Sequence, residues 1–101
     1  MISLRAGGAT DVGQVRTMNE DRLLTDDPVT IGRLPDCDVV LADTNVSRRH
    51  AEVRRQGNGF VVVDLGSTNG TKVNGLGVRE RRLADGDEIL VGNTKLRFEA
   101  S

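Results

Sequence analysis

Along this chain the apolar residues never recur at helical spacing over a long window; they fall in short, β-branched runs punctuated by Gly, Asn and Asp. The pattern predicts strands at Ile2–Arg5, Asp21–Leu24, Val29–Gly32, Val39–Leu41, Ala51–Arg55, Phe60–Asp64, Lys72–Val73, Glu88–Val91 and Lys95–Glu99. Ala51-Glu52-Val53-Arg54 alternates apolar and polar, as a half-buried strand does. Phe60-Val61-Val62-Val63 is apolar throughout and suits a central strand. Between these two lies Gln56-Gly57-Asn58-Gly59, a hairpin signal because Asn and Gly accept positive φ at little cost. Asn69-Gly70, Asn74-Gly75, Asp85-Gly86 and Gly92-Asn93 mark further turns. Short strands at intervals of roughly eight to twelve residues indicate an all-β chain, a sandwich of two antiparallel sheets. No helix of more than about two turns is required anywhere.

Composition narrows the class. The 101 residues are one domain's worth. Lys+Arg 14 against Asp+Glu 15 gives a net charge of -1, which argues against a polybasic nucleic-acid binder. Aromatics are 2%, Phe60 and Phe98 alone, too few for a base-stacking surface or a membrane-interface belt. The apolar runs are far short of a membrane span, and the start, Met1-Ile2-Ser3-Leu4-Arg5, turns polar at once with no secretory signal. The single cysteine, Cys37, makes no internal disulfide, and one Cys with one His makes no zinc site. No metal or other cofactor is expected, and the location that fits is cytoplasmic and reducing. Cys37 itself reads as a small buried hydrophobe rather than a nucleophile.

A seam falls near Asp26-Asp27-Pro28. The first 27 residues hold three Arg against five acidic residues, and the remainder hold 11 Lys/Arg against 10. Four arginines (Arg48, Arg49, Arg54, Arg55) fall within Val46–Arg55, with Glu52 the only acid. Such a cluster is either a solvated strand face or a local anion site. Three loops favour the second reading. Thr30-Ile31-Gly32-Arg33 ends a strand, Val46-Ser47-Arg48-Arg49-His50 enters one, and Gly66-Ser67-Thr68-Asn69-Gly70-Thr71 is a turn rich in hydroxyl and amide groups. Loops of a sandwich cluster at its two ends. Converging there, these would offer planar Arg donors, hydroxyls and an amide, the parts that hold a dianionic phosphate and a peptide backbone beside it.

The order and spacing of Gly32-Arg33, Ser47-x-x-His50 and Ser67-Thr68-Asn69-Gly70-Thr71, with Cys37-Asp38-Val39-Val40-Leu41, Asp43, Val63-Asp64-Leu65, Val73-Asn74 and Leu83-x-Asp85-Gly86-Asp87, resemble the forkhead-associated (FHA) domain. The likeness runs from about residue 28 to 99, and its wording is most similar to actinobacterial members that act beside Ser/Thr kinases. The resemblance implies an FHA-like β-sandwich that binds phosphothreonine peptides without catalysis. It places Arg33 and Ser47 on the phosphate, with Arg48 or Thr68 as a further donor and Asn69 on the peptide main chain. His50 is expected to brace the loop carrying Ser47, and Gly32 and Gly70 to meet backbone requirements of positive φ or close approach. Asn69 has a plainer reading as a turn residue beside its glycine. Neighbouring strand side chains alternate faces, so of Arg48 and Arg49 the first is favoured as the phosphate-side residue. Arg54, Arg55, Arg79, Arg81 and Arg82 read as solvated, and the stretch Gly75–Arg82 is a candidate for reading residues beyond the phosphothreonine.

Residues 1–27 fall outside that pattern. Asp11-x-Gly13-x-x-Arg16-x-x-Asn19-Glu20-Asp21 resembles the amino-terminal opening of metal-dependent PPM (PP2C-type) Ser/Thr phosphatases, whose Arg and acids at the positions of Arg16, Glu20 and Asp21 help to bind phosphate and metal. The remaining ligand set of a two-metal hydrolase is missing, so phosphatase activity is not expected. The segment is expected instead to supply the first strands of the sandwich, through Ile2–Arg5, Asp11–Arg16 and Asp21–Leu24, with Leu4, Val12, Val15, Leu23 and Leu24 facing inward. Two families' pieces joined in one structural domain point to a chimera, engineered rather than natural. A monomer is favoured, with a segment-swapped dimer as the alternative if the hairpin leaves a sheet edge open. The expected partner is a phosphothreonine-containing peptide or protein, a Ser/Thr kinase substrate; nucleic acid and membrane are not. Two competing readings are a folded scaffold that binds nothing and a fragment of a metal-dependent phosphatase.

Overall fold

The computed structural model describes residues 2–6 and 22–100, which form eleven strands and no helix. In chain order these are β1 (Ile2–Ala6), β2 (Arg22–Leu23), β3 (Val29–Gly32), β4 (Val39–Val40), β5 (Ala51–Gln56), β6 (Gly59–Asp64), β7 (Thr71–Val73), β8 (Leu76–Val78), β9 (Glu80–Arg82), β10 (Glu88–Val91) and β11 (Thr94–Ala100). They build two sheets, ordered β2-β1-β11-β10-β7-β8 and β4-β3-β5-β6-β9. All described pairings are antiparallel except β3 with β4, where Ile31 lies beside Val39.

Alternation decides which face each strand buries. On β11, Thr94, Leu96 and Phe98 are buried while Lys95 and Arg97 are exposed; on β7, Thr71 and Val73 flank exposed Lys72. Phe60 of β6 and Phe98 of β11 meet across the core with ring centroids 6.0 Å apart and planes tilted by 56°. That near-edge contact joins the two sheets through the only two aromatic residues of the chain. β6 lies between β5 and β9 and buries Phe60, Val61 and Val62 in succession, as its unbroken apolar run predicts. Val61 is covered on the outer face, where its register neighbours are Arg54 and Arg82, side chains with long aliphatic stems.

Two-residue turns close three hairpins, at 57–58, 74–75 and 92–93. Asn74 and Gly75 both take positive φ, 51° and 86°, the mirror-image turn whose twist matches the strands it joins. Two strands escape the sequence pattern. β8 has a glycine at its centre and Leu76 60% exposed, and β9 is three exposed charged residues. Both are sheet edges, where charge and short length discourage pairing with another chain and erase the period-2 signal.

At the N-terminus β1 pairs with β11 from Ile2↔Ala100 to Ala6↔Leu96, and β2 pairs with β1. Leu4 is fully buried and Leu24 nearly so, and the Leu24 amide donates to the Ile2 carbonyl at 2.8 Å. The expected strand Asp11–Arg16, the inward positions Val12 and Val15, and Arg16, Glu20 and Asp21 lie outside the described residues.

Candidate functional site

β3 ends at Gly32, and the chain then lies directly on the backbone that precedes β5. A Cβ on Gly32 would stand 2.0 Å from the Arg48 carbonyl oxygen, so only glycine fits this crossing. The Arg33 amide donates to the carbonyls of Ser47 (3.2 Å) and Arg48 (3.0 Å), and the Leu34 amide to Arg48 (3.3 Å). Cys37 is buried beneath, its thiol donating to the same Arg48 carbonyl at 3.4 Å. Burial pushes that thiol up, away from thiolate chemistry. The main chains of Arg33 and Arg48 are thus fixed against each other, while both side chains are exposed. Neither guanidinium has a hydrogen-bond or ion-pair partner among the described residues. Arg49 differs, since it donates to Asp36 at 2.8 Å.

His50 is fully buried and joins two loops. Its Nδ1 accepts from the Ser47 amide at 3.1 Å, which leaves Nε2 to carry the proton and donate to the Gly70 carbonyl at 2.7 Å. Its own amide donates to the Ile31 carbonyl and its carbonyl accepts from the Leu65 amide, so its backbone is held on both sides. Ser47 Oγ accepts from the Thr68 amide at 3.0 Å, which leaves the hydroxyl hydrogen free to donate outward. Thr68 is exposed and, with its amide committed, offers its own hydroxyl. Gly70 sits at φ 81°, a conformation a side chain strains.

Asp64 shapes the loop that carries Thr68 and Asn69. Its carboxylate accepts from the amides of Gly66 (3.0 Å) and Ser67 (3.1 Å) and from the hydroxyls of Ser67 and Thr71 (2.8 Å). Burial pushes this carboxyl up, but the Ser67 and Thr71 hydroxyls and the two amides outweigh it and hold it below the usual range. Asn69 Nδ2 donates to the Asn45 carbonyl at 2.8 Å, which leaves its second N–H and its Oδ1 for a ligand. A shallow cleft of about 490 Å³ opens beside this loop, lined by Val63, Asp64, Gly66, Ser67, Arg79 and Glu80.

The fold therefore places Arg33, Ser47, Arg48, Thr68 and Asn69 on loops tied to one another, with Gly32, His50 and Gly70 supplying the crossing, the brace and the turn. Sequence reasoning missed what Asp64 does. An Asp followed at two and three residues by Gly and Ser is the signature of a side chain that caps its own turn, and it was there to be read. Of the arginines read as solvated, Arg54 pairs with Glu52, Arg55 with Asp26, and Arg82 donates to Asn58.

The FHA domain profile matches residues 29–92. The glycogen accumulation regulator GarA of Mycolicibacterium smegmatis is 53% identical over 78 residues, spanning 76% of this chain and 49% of that protein. An oxoglutarate dehydrogenase inhibitor of Corynebacterium diphtheriae is 50% identical over 78 residues, spanning 76% of this chain and 54% of its own length. The chain spans about half the length of the curated relatives it matches. A solved structure from work on phosphothreonine-dependent FHA domain interactions superposes with a TM-score of 0.82 at 35% identity, over 99% of this chain and 96% of that one. Mycobacterium tuberculosis EmbR in complex with a low affinity phosphopeptide gives 0.81 at 32% identity, over 99% of this chain and 24% of that one.

Proposed function

Since the chain belongs to the FHA domain family, we propose that it is a non-catalytic module that binds phosphothreonine peptides in Ser/Thr kinase signalling. One observation carries this reading. Two guanidinium groups without partners among the described residues stand on backbones fixed against each other, beside a serine hydroxyl whose hydrogen is free. A phosphate carrying about −1.5 to −2 charges, with three acceptor oxygens, is the ligand that matches such donors. Arg33, Ser47 and Arg48 take the phosphate, Thr68 adds its hydroxyl, and Asn69 bonds the peptide main chain with the amide atoms left to it. The partner is a Ser/Thr kinase substrate met in the cytoplasm. The names of the relatives, a glycogen accumulation regulator and an oxoglutarate dehydrogenase inhibitor, support a regulatory role over a catalytic one.

The first 27 residues enter this reading as a phosphatase-like segment that supplies strands. What supports it is the five-residue ladder of β1 on β11, which needs no catalytic role for the segment. A manganese-supplemented phosphatase assay is expected to stay blank, and turnover there would favour the phosphatase reading. The engineered origin rests on the two-family mosaic alone, and a continuous natural reading frame containing both parts would overturn it. Light scattering over a concentration series is expected to give a monomer mass; a constant dimer mass would favour exchange of the segment.

Titration with a phosphothreonine peptide, its unphosphorylated twin and a phosphoserine version tests the site, with Arg33→Ala as control. Tight binding of the first alone, lost in the variant, supports the reading. Equal affinity for all three ends it, and no measurable binding of any of them leaves the folded scaffold that binds nothing.

A further inference from the structure

The Asn45 carbonyl that orients Asn69 belongs to an exposed loop. Thr44 and Asn45 are both exposed between buried Asp43 and buried Val46, so packing alone does not fix that peptide. What fixes it is a carboxylate. Asp43 is only 6% exposed, and its Oδ1 accepts from the Asn45 amide at 2.8 Å while its carbonyl accepts from the Val46 amide at 3.0 Å. Its other oxygen, Oδ2, accepts from the Asn93 amide at 2.6 Å and from the Thr94 hydroxyl at 3.1 Å. The turn between β10 and β11 also presses on the same peptide. A Cβ on Gly92 would stand 2.8 Å from Val46 Cγ2 and 2.9 and 3.0 Å from the carbonyl carbon and oxygen of Asn45.

We infer that Asp43 is a positioning residue for Asn69, acting through the Asn45 peptide, and that it makes the β10–β11 turn a working part of the site. The chemistry demands a carboxylate. Asp43→Asn keeps the size, but every donor it meets is an N–H or O–H directed at an acceptor. Whichever way the new amide turns, its NH2 faces the N–H of Asn45 or of Asn93. Either orientation releases one side of the clamp, and the carbonyl held out to Asn69 moves. Arg33 and Ser47 lie outside this network, so the phosphate contacts persist while the grip on the peptide main chain loosens.

This inference rests on the phosphopeptide reading of the site, and a double-mutant cycle separates the two. In the wild-type chain Asp43→Asn is expected to weaken phosphothreonine-peptide binding by about tenfold, and in an Asn69→Ala background by less than about twofold. An equal loss in both backgrounds overturns the inference, because a merely structural residue acts additively. Thr94→Val removes only the hydroxyl arm of the clamp, and covers the case in which Asp43→Asn does not fold. It is expected to cost about threefold with Asn69 present and nothing without it. A second readout needs no ligand: the Asn69 side-chain amide signals in a proton–nitrogen correlation spectrum should shift in either variant while the Arg33 amide stays in place. Unmoved Asn69 signals overturn the inference. Failure of the site reading shows elsewhere, as wild-type indifference to phosphorylation, and leaves the spectroscopic test standing.

Discussion

Two sets of arginines divide this molecule. On β5 both guanidinium groups are matched, Arg54 to Glu52 at 3.2 Å and Arg55 to Asp26 at 3.0 Å, and Arg82 of β9 donates to Asn58 at 3.1 Å. Arg55 also lies over the Phe60 ring at 5.9 Å. At the loop end the pattern reverses. Arg33 and Arg48 have fixed backbones and no partner among the described residues. Arginine density therefore says little about where an anion binds, since β5 is as rich as the loops. What marks the proposed site is donors held in place and left unsatisfied, an arrangement that would take an anion without first breaking an internal pair or ordering a chain.

The hardest test of that contrast is Arg33→Ala against Arg54→Ala. Loss of charge-assisted contacts at Arg33 is expected to cost about 1.5–3 kcal/mol of phosphopeptide affinity, tenfold or more. The thermal midpoint should not move, because the Arg33 guanidinium has no partner to lose among the described residues. Arg54→Ala should leave affinity within about twofold, as expected of a pair outside the site. Similar losses of affinity from both, in calorimetric titration, would erase the distinction.

Next in size is the loop support. Asp64 accepts four hydrogen bonds, and Asp64→Asn is expected to destabilise the fold by about 1–3 kcal/mol, read from the urea midpoint. Asp43 is held low as well: burial pushes it up, but the amides of Asn45 and Asn93 and the Thr94 hydroxyl prevail. Both folded pKa values lie below the ordinary 3.8, so below about pH 5 the unfolded chain binds more protons than the native one. Stability from this source is complete above that pH and is lost as pH falls through the depressed folded values. Asp64→Asn should flatten the slope of stability against pH between about pH 5 and 3, and an unchanged slope would remove Asp64 from the account.

Much of this was legible in the residues and some was not. β3 and β10 fall at the expected boundaries, because each alternates or fills with apolar residues between clear turn signals. The Gly32 requirement was also within reach, as close approach rather than positive φ. β8 and β9 were not, since these short edge strands bury almost no side chain and so carry no apolar period. Among site residues, Arg33, Ser47, His50 and Asn69 were singled out by residue type and spacing. Asp43 and Asp64 were quoted in the pattern without a role, because a carboxylate that accepts from amides at positions 66 and 67 or 45 and 93 looks the same in sequence as one in solvent. Pairing is equally silent. Nothing in the order of residues says that the Arg49 guanidinium meets Asp36 while that of its neighbour Arg48 has no partner among the described residues.

That last pair offers the finest test, because one substitution moves an arginine from one class to the other. Asp36→Ala frees the Arg49 guanidinium, one residue from Arg48, without touching any group assigned to the site. The pair is solvent-exposed, with side chains 51% and 65% accessible, so its loss should leave stability unchanged within about 0.5 kcal/mol. A freed charge beside the site is expected to tighten phosphothreonine-peptide binding by about twofold at low salt and by nothing at about 1 M, where the screening length is near 3 Å. Asp26→Ala is the matched control, since it frees Arg55. Arg55 lies five residues beyond His50 along an extended strand, about 16 Å further from the site and some two screening lengths away at physiological salt. Its release should change stability slightly, through Arg55 and its contact with Phe60, and affinity not at all. If both variants tighten binding equally, net charge governs association and the placement of unmatched arginines does not; if only Asp36→Ala does, placement is what the phosphate reads.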